Sequence, residues 1–278
     1  MKPFRKHVAI AIDGGGIRGL MVARALYELE DTLGKPVGEI FNLAAGTSTG
    51  SIIAAGISAG FTARQMYTFY KDMGNTVFPK TWRSYLFPFT HNRFPLEPIQ
   101  SSLEKNFGTT TVGDLWNKEN QVDLVITTFD LLENRSRFIK PWKNEYAALP
   151  LAKAVRASCS VPTYFPVVDN RFVDGGVGSY SNPCYLAAYE ALVCLQWDPA
   201  ETTLISFGTG RNPHQFDANK TAQLWPWQWL NPVFDAFYRS SDDEQVNLVQ
   251  TFFKDLDFRR FQIDLDQAIE LDDTTKMD

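Results

Sequence analysis

The sequence is poor in residues on which several classes of protein depend. Its 278 residues include three cysteines, at 159, 184 and 194, without C-x-x-C spacing, which disfavours a disulfide framework or a zinc site and favours a reducing compartment. The formal net charge is −5, so nucleic acid and strongly anionic membranes are disfavoured partners. No apolar run reaches the length of a membrane span. These absences predict a soluble, cytoplasmic protein.

Histidine is equally scarce, with one residue each at positions 7, 91 and 214. A serine nucleophile that needs a histidine base therefore has few partners. Apolar residues are plentiful: 44% of the chain is hydrophobic and 21% is charged, which is enough to bury a large core. Because no linker, repeat or low-complexity segment interrupts the chain, residues 1–278 are expected to form one domain.

Two strand–loop–helix units follow one another in the first sixty residues. An apolar run at 8–12 predicts a buried strand, and helical spacing of apolar residues predicts a helix over 20–33. A second apolar run at 40–45 and a small-residue run at 51–60 repeat the pattern. Successive βα units predict a parallel sheet with right-handed crossovers.

The second unit contains Gly46-Thr47-Ser48-Thr49-Gly50 between its strand and its helix. A serine between two glycines at such a corner is typical of a nucleophile elbow, where the turn leaves no room for a Cβ at Gly46 and Gly50. Ser48 would then lie at the N-terminus of the helix, which favours developing negative charge. The alternative is a structural turn with a capping serine.

The first unit contains a glycine loop, Asp13-Gly-Gly-Gly-Ile-Arg-Gly19. Gly14, Gly16 and Gly19 match the dinucleotide fingerprint, but the next strand ends in Ala-Ala-Gly without the acid that binds ribose. A phosphate-binding P-loop lacks its G-K-[ST]. We favour an oxyanion hole, in which glycine frees backbone N–H groups to point at negative charge and Arg18 adds a positive one. Dinucleotide binding and a purely structural loop are the alternatives.

An acid follows the short apolar segments at 167–168 and 171–173, which are expected to form a hairpin. Asp174 ends the second segment and precedes two glycines. Ligands of α/β sheets bind beyond the carboxyl ends of the strands, so we expect Asp174 to lie near Ser48. The alternative is a turn aspartate in an Asp-Gly loop. Of the histidines, His7 is expected to precede the first strand, and only His214 has a position from which it could complete a Ser48–Asp174–His214 triad.

Two aromatic segments, 78–94 and 225–230, are candidate surfaces for peripheral membrane contact, with a core or domain-packing role as the alternative. Patterning elsewhere predicts helices over 61–73, 95–107, 151–157, 183–195 and 232–253, and strands over 122–129, 136–139, 203–207 and 259–265.

Taken together, these motifs resemble the patatin-like phospholipase family. The resemblance rests on the glycine loop, the elbow and Asp174-Gly-Gly176, with support from Pro162-Thr-Tyr-Phe-Pro166 and Ser206-Phe-Gly-Thr-Gly210. It covers about 7–212. The part at 213–278 is expected to pack on this core or to be a truncated extension.

The resemblance implies a three-layer α/β sandwich with a mainly parallel central sheet and helices on both faces. It implies a lipid acyl hydrolase with Ser48 as nucleophile and Asp174 as base, acting on phospholipids, galactolipids or related esters without cofactor or metal. The oxyanion hole would be formed or supported by Gly14, Gly15, Gly16 and Arg18. The alternatives are the histidine triad, a non-catalytic lipid-binding module, and a nucleotide-dependent oxidoreductase.

Overall fold

The computed structural model describes residues 3–78, 89–117, 121–213 and 223–276. Their strands form one sheet in the order β4-β3-β2-β1-β6-β7, with β5 paired to β3. Strands β1, β2, β3, β6 and β7 run parallel, while β4 and β5 are antiparallel to β3. The strands are β1 His7–Ile12, β2 Leu43–Gly46, β3 Asp123–Asp130, β4 Arg135–Ile139, β5 Phe172–Asp174, β6 Thr202–Phe207 and β7 Asp257–Phe261.

Helices fill the intervals between the strands. Among the described residues, none of them is both long and apolar enough to cross a membrane. They are α1 Gly19–Leu33, α2 Val37–Ile40, α3 Thr49–Ala59, α4 Ala63–Val77, α5 Glu97–Phe107, α6 Leu151–Cys159, α7 Cys184–Tyr189 and α8 Leu230–Phe252, and a π-helical turn, Glu190–Cys194, extends α7.

The mainly parallel sheet with helices on both faces confirms the predicted fold class. Alternate residues of β1 enter different cores: Ile10 and Ile12 pack with α1, α3, α4, α5 and α6, whereas Ala9 and Ala11 pack with α7 and α8. This alternation is the period-two geometry of a strand covered on both sides. The small alanines let α7 lie close to the sheet.

Two predicted strands have different bounds. The expected strand over 40–45 begins at Leu43, because Val37 and Ile40 lie three residues apart and pack together as the short helix α2. The expected strand over 259–265 is Asp257–Phe261, which pairs in parallel with β6. Through β7 and α8, the part of the chain after residue 213 adds an outer strand and a helix to the same layers.

The predicted hairpin over 167–173 is present as a single antiparallel pair: Val168 and Phe172 exchange backbone hydrogen bonds of 2.9 and 2.8 Å. The first segment does not join the sheet, and Phe172–Asp174 pairs antiparallel with β3. Since β4 occupies one side of β3, β5 lies on the other side, in line with β2.

This arrangement fixes where Asp174 lies. On β3, Gly46 is the partner of Ile126 and Asp174 is the partner of Thr128. Two residues of strand correspond to about 7 Å, so the elbow and the acid are neighbours along one side of β3. Asp174 reaches the carboxyl edge of the sheet as predicted, although its strand runs in the opposite direction to the one assumed.

Candidate active site

Ser48 lies at the sharp turn between β2 and α3. Its backbone has φ 53° and ψ −126°, a conformation that is strained for a residue with a side chain. A Cβ on Gly46 would lie 2.2 Å from the carbonyl oxygen of Gly50, and one on Gly50 would lie 2.2 Å from that of Ile12. The flanking glycines are therefore required by close backbone contacts, as the elbow prediction assumed.

Hydroxyl groups hold this strained turn in place. The Ser48 amide donates to Ser158 Oγ at 2.8 Å, and Ser51 Oγ donates to the Ser48 carbonyl oxygen at 2.6 Å. All three serines are buried, so their hydrogen bonds are sheltered from water. Ser158 belongs to α6. The sequence predicts a helix here, but it does not indicate that this helix supports the elbow.

Asp174 is buried beside Ser48 and is only 3% exposed. Its Oδ1 accepts a 2.8 Å hydrogen bond from the Gly176 amide, while its Oδ2 lacks a hydrogen bond of standard geometry among the described residues. Burial raises the pKa of Asp174 to about 6, and donation from the Ser48 hydroxyl and the Gly176 amide opposes that rise. The Ser48 hydroxyl is thus close enough to interact with the carboxyl, but the contact is looser than a standard hydrogen bond.

The glycine loop approaches Ser48 from the end of β1. The Gly14 amide is already donated to the Ser181 carbonyl oxygen at 2.9 Å, whereas the Gly15 and Gly16 amides have no acceptor among the described residues. A Cβ on Gly14 would lie 3.3 Å from Ser48 Cβ, which places the loop against the serine. Two unused N–H groups beside a serine hydroxyl are what an oxyanion hole requires.

Arg18 holds the loop rather than pointing at the serine. Its Nε donates to the Gly15 carbonyl oxygen at 3.2 Å, and its Nη1 donates to that of Gly210 at 3.1 Å. Turning the Gly15 carbonyl toward the guanidinium orients the adjoining peptide group, whose N–H belongs to Gly16. Of the predicted oxyanion residues, Gly14 and Arg18 support the loop, and Gly15 and Gly16 carry the unused donors.

Within the described residues, no histidine hydrogen-bonds to Ser48 or Asp174. His7 is the first residue of β1, not a residue preceding it, and stacks on Trp197 with ring centroids 4.8 Å apart at the amino end of the strand. His91 is exposed. His214, the candidate for a triad, lies outside the described residues.

A narrow apolar cavity of about 30 Å³ opens beside Ser48. This volume is about a tenth of that of a typical ligand pocket. Its walls come from α3, α4, α5 and α6, from the segment after α6, and from the C-terminal residues; they include Ile52, Met73, Val77, Phe78, Ile99, Val161, Tyr164, Phe165 and Leu271.

Comparison with known proteins identifies the family. The model of the patatin-like phospholipase family matches residues 10–188, which include the glycine loop, the elbow and Asp174. The chain belongs to the patatin-like phospholipase family. "Intracellular phospholipase A2" of Caenorhabditis elegans is 30% identical over 218 residues, which are 73% of this chain and 19% of that protein. "Patatin-like protein 1" of Oryza sativa subsp. indica is 26% identical and matches 94% of this chain and 75% of that protein.

Several relatives are longer than the patatin-like region that they share with this chain. A "cGAMP-activated phospholipase" of Pseudomonas aeruginosa is 28% identical, over 60% of this chain and 52% of that protein. The chain therefore spans about a fifth of the length of the nematode protein and about half of that of the Pseudomonas protein. Among solved structures, VipD from Legionella pneumophila aligns with a TM-score of 0.45 at 12% identity, covering 80% of this chain and 52% of that one.

One residue that supports the patatin-like site lies beyond the family match and was missed in the sequence. Arg260 of β7 donates to both carboxylate oxygens of Asp13, at 2.8 and 2.5 Å, and to Asp242 of α8 at 2.9 Å. Burial opposes the charge of Arg260, but the carboxylates of Asp13 and Asp242 outweigh it and raise its pKa. Asp13 begins the glycine loop, so this ion pair anchors the loop to the outer strand. No local pattern in the sequence indicates these partners, because Asp13 lies 247 residues and Asp242 lies 18 residues from Arg260.

The two aromatic segments differ in their surroundings. Phe78 and Phe94 pack edge to face, 5.3 Å apart, beside the cavity, whereas Phe89 is 92% exposed. Residues 79–88 lie outside the described part of the chain. In the second segment, Trp225 and Trp229 are 64% and 41% exposed. Part of the first segment therefore belongs to the core, and Trp225 and Trp229 of the second lie at the surface.

Proposed function

We propose that this chain is a lipid acyl hydrolase that cleaves carboxylic esters through a Ser48–Asp174 dyad and an acyl-enzyme intermediate. One observation carries the proposal: a serine on a strained elbow lies beside a buried carboxyl whose free oxygen has no other partner among the described residues. The names of the relatives support a phospholipid substrate, and the apolar walls of the cavity suit an acyl chain.

In the first half of the reaction, Asp174 accepts the proton of the Ser48 hydroxyl as Oγ attacks the ester carbonyl carbon. The negative charge that develops on the carbonyl oxygen is stabilised by the Gly15 and Gly16 amides. When the tetrahedral intermediate collapses, the bond to the leaving alcohol breaks and Asp174 returns the proton to that alcohol. The acyl group remains on Ser48.

In the second half, Asp174 takes a proton from water, whose oxygen attacks the acyl-enzyme. Collapse releases the fatty acid, and Ser48 Oγ recovers the proton. A carboxylate of ordinary pKa would be a poor base at neutral pH, and the raised pKa of Asp174, about 6, makes it a better one while leaving it ionised. No step requires a metal or cofactor.

We further propose that the protein is cytoplasmic and contacts membranes peripherally. The exposed Trp225 and Trp229 offer an apolar surface of the kind that inserts at the level of lipid head groups. The nematode relative is named an intracellular enzyme, which agrees with the cytoplasmic assignment.

Hydrolysis of p-nitrophenyl butyrate by purified variants tests the dyad. We expect Ser48→Ala and Asp174→Asn each to lower kcat by roughly a thousandfold or more, because each removes a group that reacts. Ser58→Ala on the same helix is the matched control, since its buried hydroxyl has no hydrogen-bond partner among the described residues. His214→Ala is expected to leave the rate unchanged.

A folded but inactive His214→Ala variant would overturn the dyad in favour of the triad. Labelling with a fluorophosphonate separates both from a non-catalytic lipid-binding module: we expect Ser48 to react and the Ser48→Ala variant not to react. Failure of the folded wild-type protein to react would support the binding module.

A further inference from the structure

The C-terminal strap, residues 264–276, forms part of the wall of the Ser48 cavity through Leu271. It is fastened at several points along its length. The Leu265 amide donates to the Arg211 carbonyl oxygen at 2.8 Å, and the Ile269 amide donates to Asn212 Oδ1 at 3.0 Å.

Leu271 contacts the glycine loop as well as the cavity. Its carbonyl oxygen accepts a 2.9 Å hydrogen bond from the Ile17 amide, the next N–H after those of Gly15 and Gly16. The backbone comes so close that a Cβ on Gly16, which has φ +58°, would lie 2.2 Å from this oxygen. A carbonyl on the glycine loop and an apolar side chain at the acyl cavity reproduce two features of a bound ester.

The adjacent residue supplies a third feature. Asp272 Oδ2 pairs with Arg93 Nη1 at 2.9 Å, and the guanidinium lies over the ring of Tyr164, 5.2 Å from its centroid. Tyr164 itself lines the Ser48 cavity. The Arg93 amide donates to the Thr163 carbonyl oxygen, which fixes its backbone beside the cavity wall. The strap therefore places an anion on a cation beside two residues of the cavity wall, Tyr164 and Leu271.

A phospholipid presents the same three groups: a phosphate, an ester carbonyl and an acyl chain. An arginine fork pairs with phosphate as readily as with carboxylate. We propose that Arg93 recognises the phosphate of a phospholipid substrate, and that Asp272 and Leu271 occupy the phosphate and acyl positions until a lipid displaces them. This inference rests on the ester hydrolysis proposed above and adds the residue that contacts the head group and the resting position of the strap.

Two substrates that differ only in the head group test the inference: dioctanoylphosphatidylcholine and dioctanoylglycerol. For Arg93→Gln, kcat/KM on the phospholipid should fall 10- to 100-fold, which is the usual loss for one hydrogen bond to a charged group. On dioctanoylglycerol the same variant should be as active as wild type or more active, because the strap has lost its ion pair. For Arg93→Lys, kcat/KM on the phospholipid should lie between the values for wild type and for Arg93→Gln.

Asp272→Asn provides the opposite change. Removing the competing carboxylate should raise kcat/KM on the phospholipid several-fold and lower KM more than it changes kcat. Arg24→Gln is the control, because it removes an exposed arginine that pairs with Glu28 on α1. It should leave kcat/KM unchanged on both substrates. Thermal unfolding of each variant checks that the fold is intact.

The outcomes separate this inference from the proposed function. Equal losses on both substrates in Arg93→Gln, or a loss of phospholipid turnover in Asp272→Asn, would show that the strap is a wall of the site and overturn the inference. If wild type cleaves both lipids through Ser48 and the Arg93 variants keep the same ratio, only the inference fails. If wild type cleaves neither, the proposed function fails and this inference with it.

Discussion

Asp174 combines burial with a charge that the reaction needs, and this has a cost in stability. In the folded protein burial raises its pKa from 3.8 to about 6, so the fold favours the neutral carboxyl. Between those two pH values the folded state holds a proton that the unfolded chain has released. The stability contributed by this group is therefore present below about pH 4 and is lost as pH rises to about 6.

We expect Asp174→Asn to be more stable than wild type above pH 6, by up to roughly 3 kcal/mol, because asparagine stays neutral and can still accept from the Gly176 amide. The difference should shrink toward zero near pH 4. Urea unfolding at several pH values measures it. A difference that does not vary with pH would show that Asp174 is not the group responsible.

Activity should follow the same titration in the opposite sense, because the base must be ionised. We expect kcat/KM for p-nitrophenyl butyrate to rise about tenfold per pH unit below pH 6 and to level off above it. His214→Ala should retain this profile. If the fall in kcat/KM below pH 6 shifts or disappears in that variant, the pH profile is set by the histidine and not by Asp174.

At the scale of single elements, β7 connects the outer edge of the sheet to the glycine loop. Arg260→Gln would remove the guanidinium that pairs with the buried Asp13, whereas Asp242 would keep Asn182 and Arg211 as partners. We expect the substitution to lower the free energy of unfolding by roughly 3–5 kcal/mol. Arg135→Gln, at an exposed pair with Glu133, should cost about 1 kcal/mol or less. Denaturant unfolding compares the two. Similar small losses would mean that the Asp13 pair does not anchor the loop.

The elements that sequence alone could predict are those whose signals are local. The glycines around Ser48 and the apolar periods of α1 and β1 dictate short-range geometry, and the structure has those elements in place. The direction of β5 has no such signal, because its three residues pair with whichever strand lies beside them. Arg260 binds an acid 247 residues away, and Leu271 belongs to a segment without apolar periodicity, so neither role could be read from a local pattern.

At the scale of the whole molecule, charge and apolar surface would have opposite effects on the proposed membrane contact. The net charge of −5 repels anionic lipid, whereas Trp225, Trp229 and Val233 present an apolar surface near the start of α8. Association with lipid should therefore depend on these side chains more than on lipid charge. Added salt should matter only where the lipid is anionic, since it screens repulsion between exposed charges.

We expect Trp225→Ser combined with Trp229→Ser to weaken binding to phosphatidylcholine vesicles roughly tenfold, given the apolar area lost. Vesicle co-sedimentation measures this. Phe252→Ser is the matched control, because Phe252 is 65% exposed at the far end of α8, whose first residue follows Trp229. Equal losses in the two proteins would argue that the tryptophans have no special part in membrane contact.

The pairing of β5 with β3 has a consequence for insertions and deletions. Side chains alternate between the two faces of a sheet, so a slip of one residue in this pairing would turn Asp174 to the face opposite Ser48. The register is held by few contacts, among them Thr128 Oγ1 donating to the Val173 carbonyl oxygen and the Asp174 amide donating to that of Ser160. One residue added between Phe172 and Asp174 would shift this register and separate the base from its nucleophile. In this stretch the length of the chain matters as much as its composition.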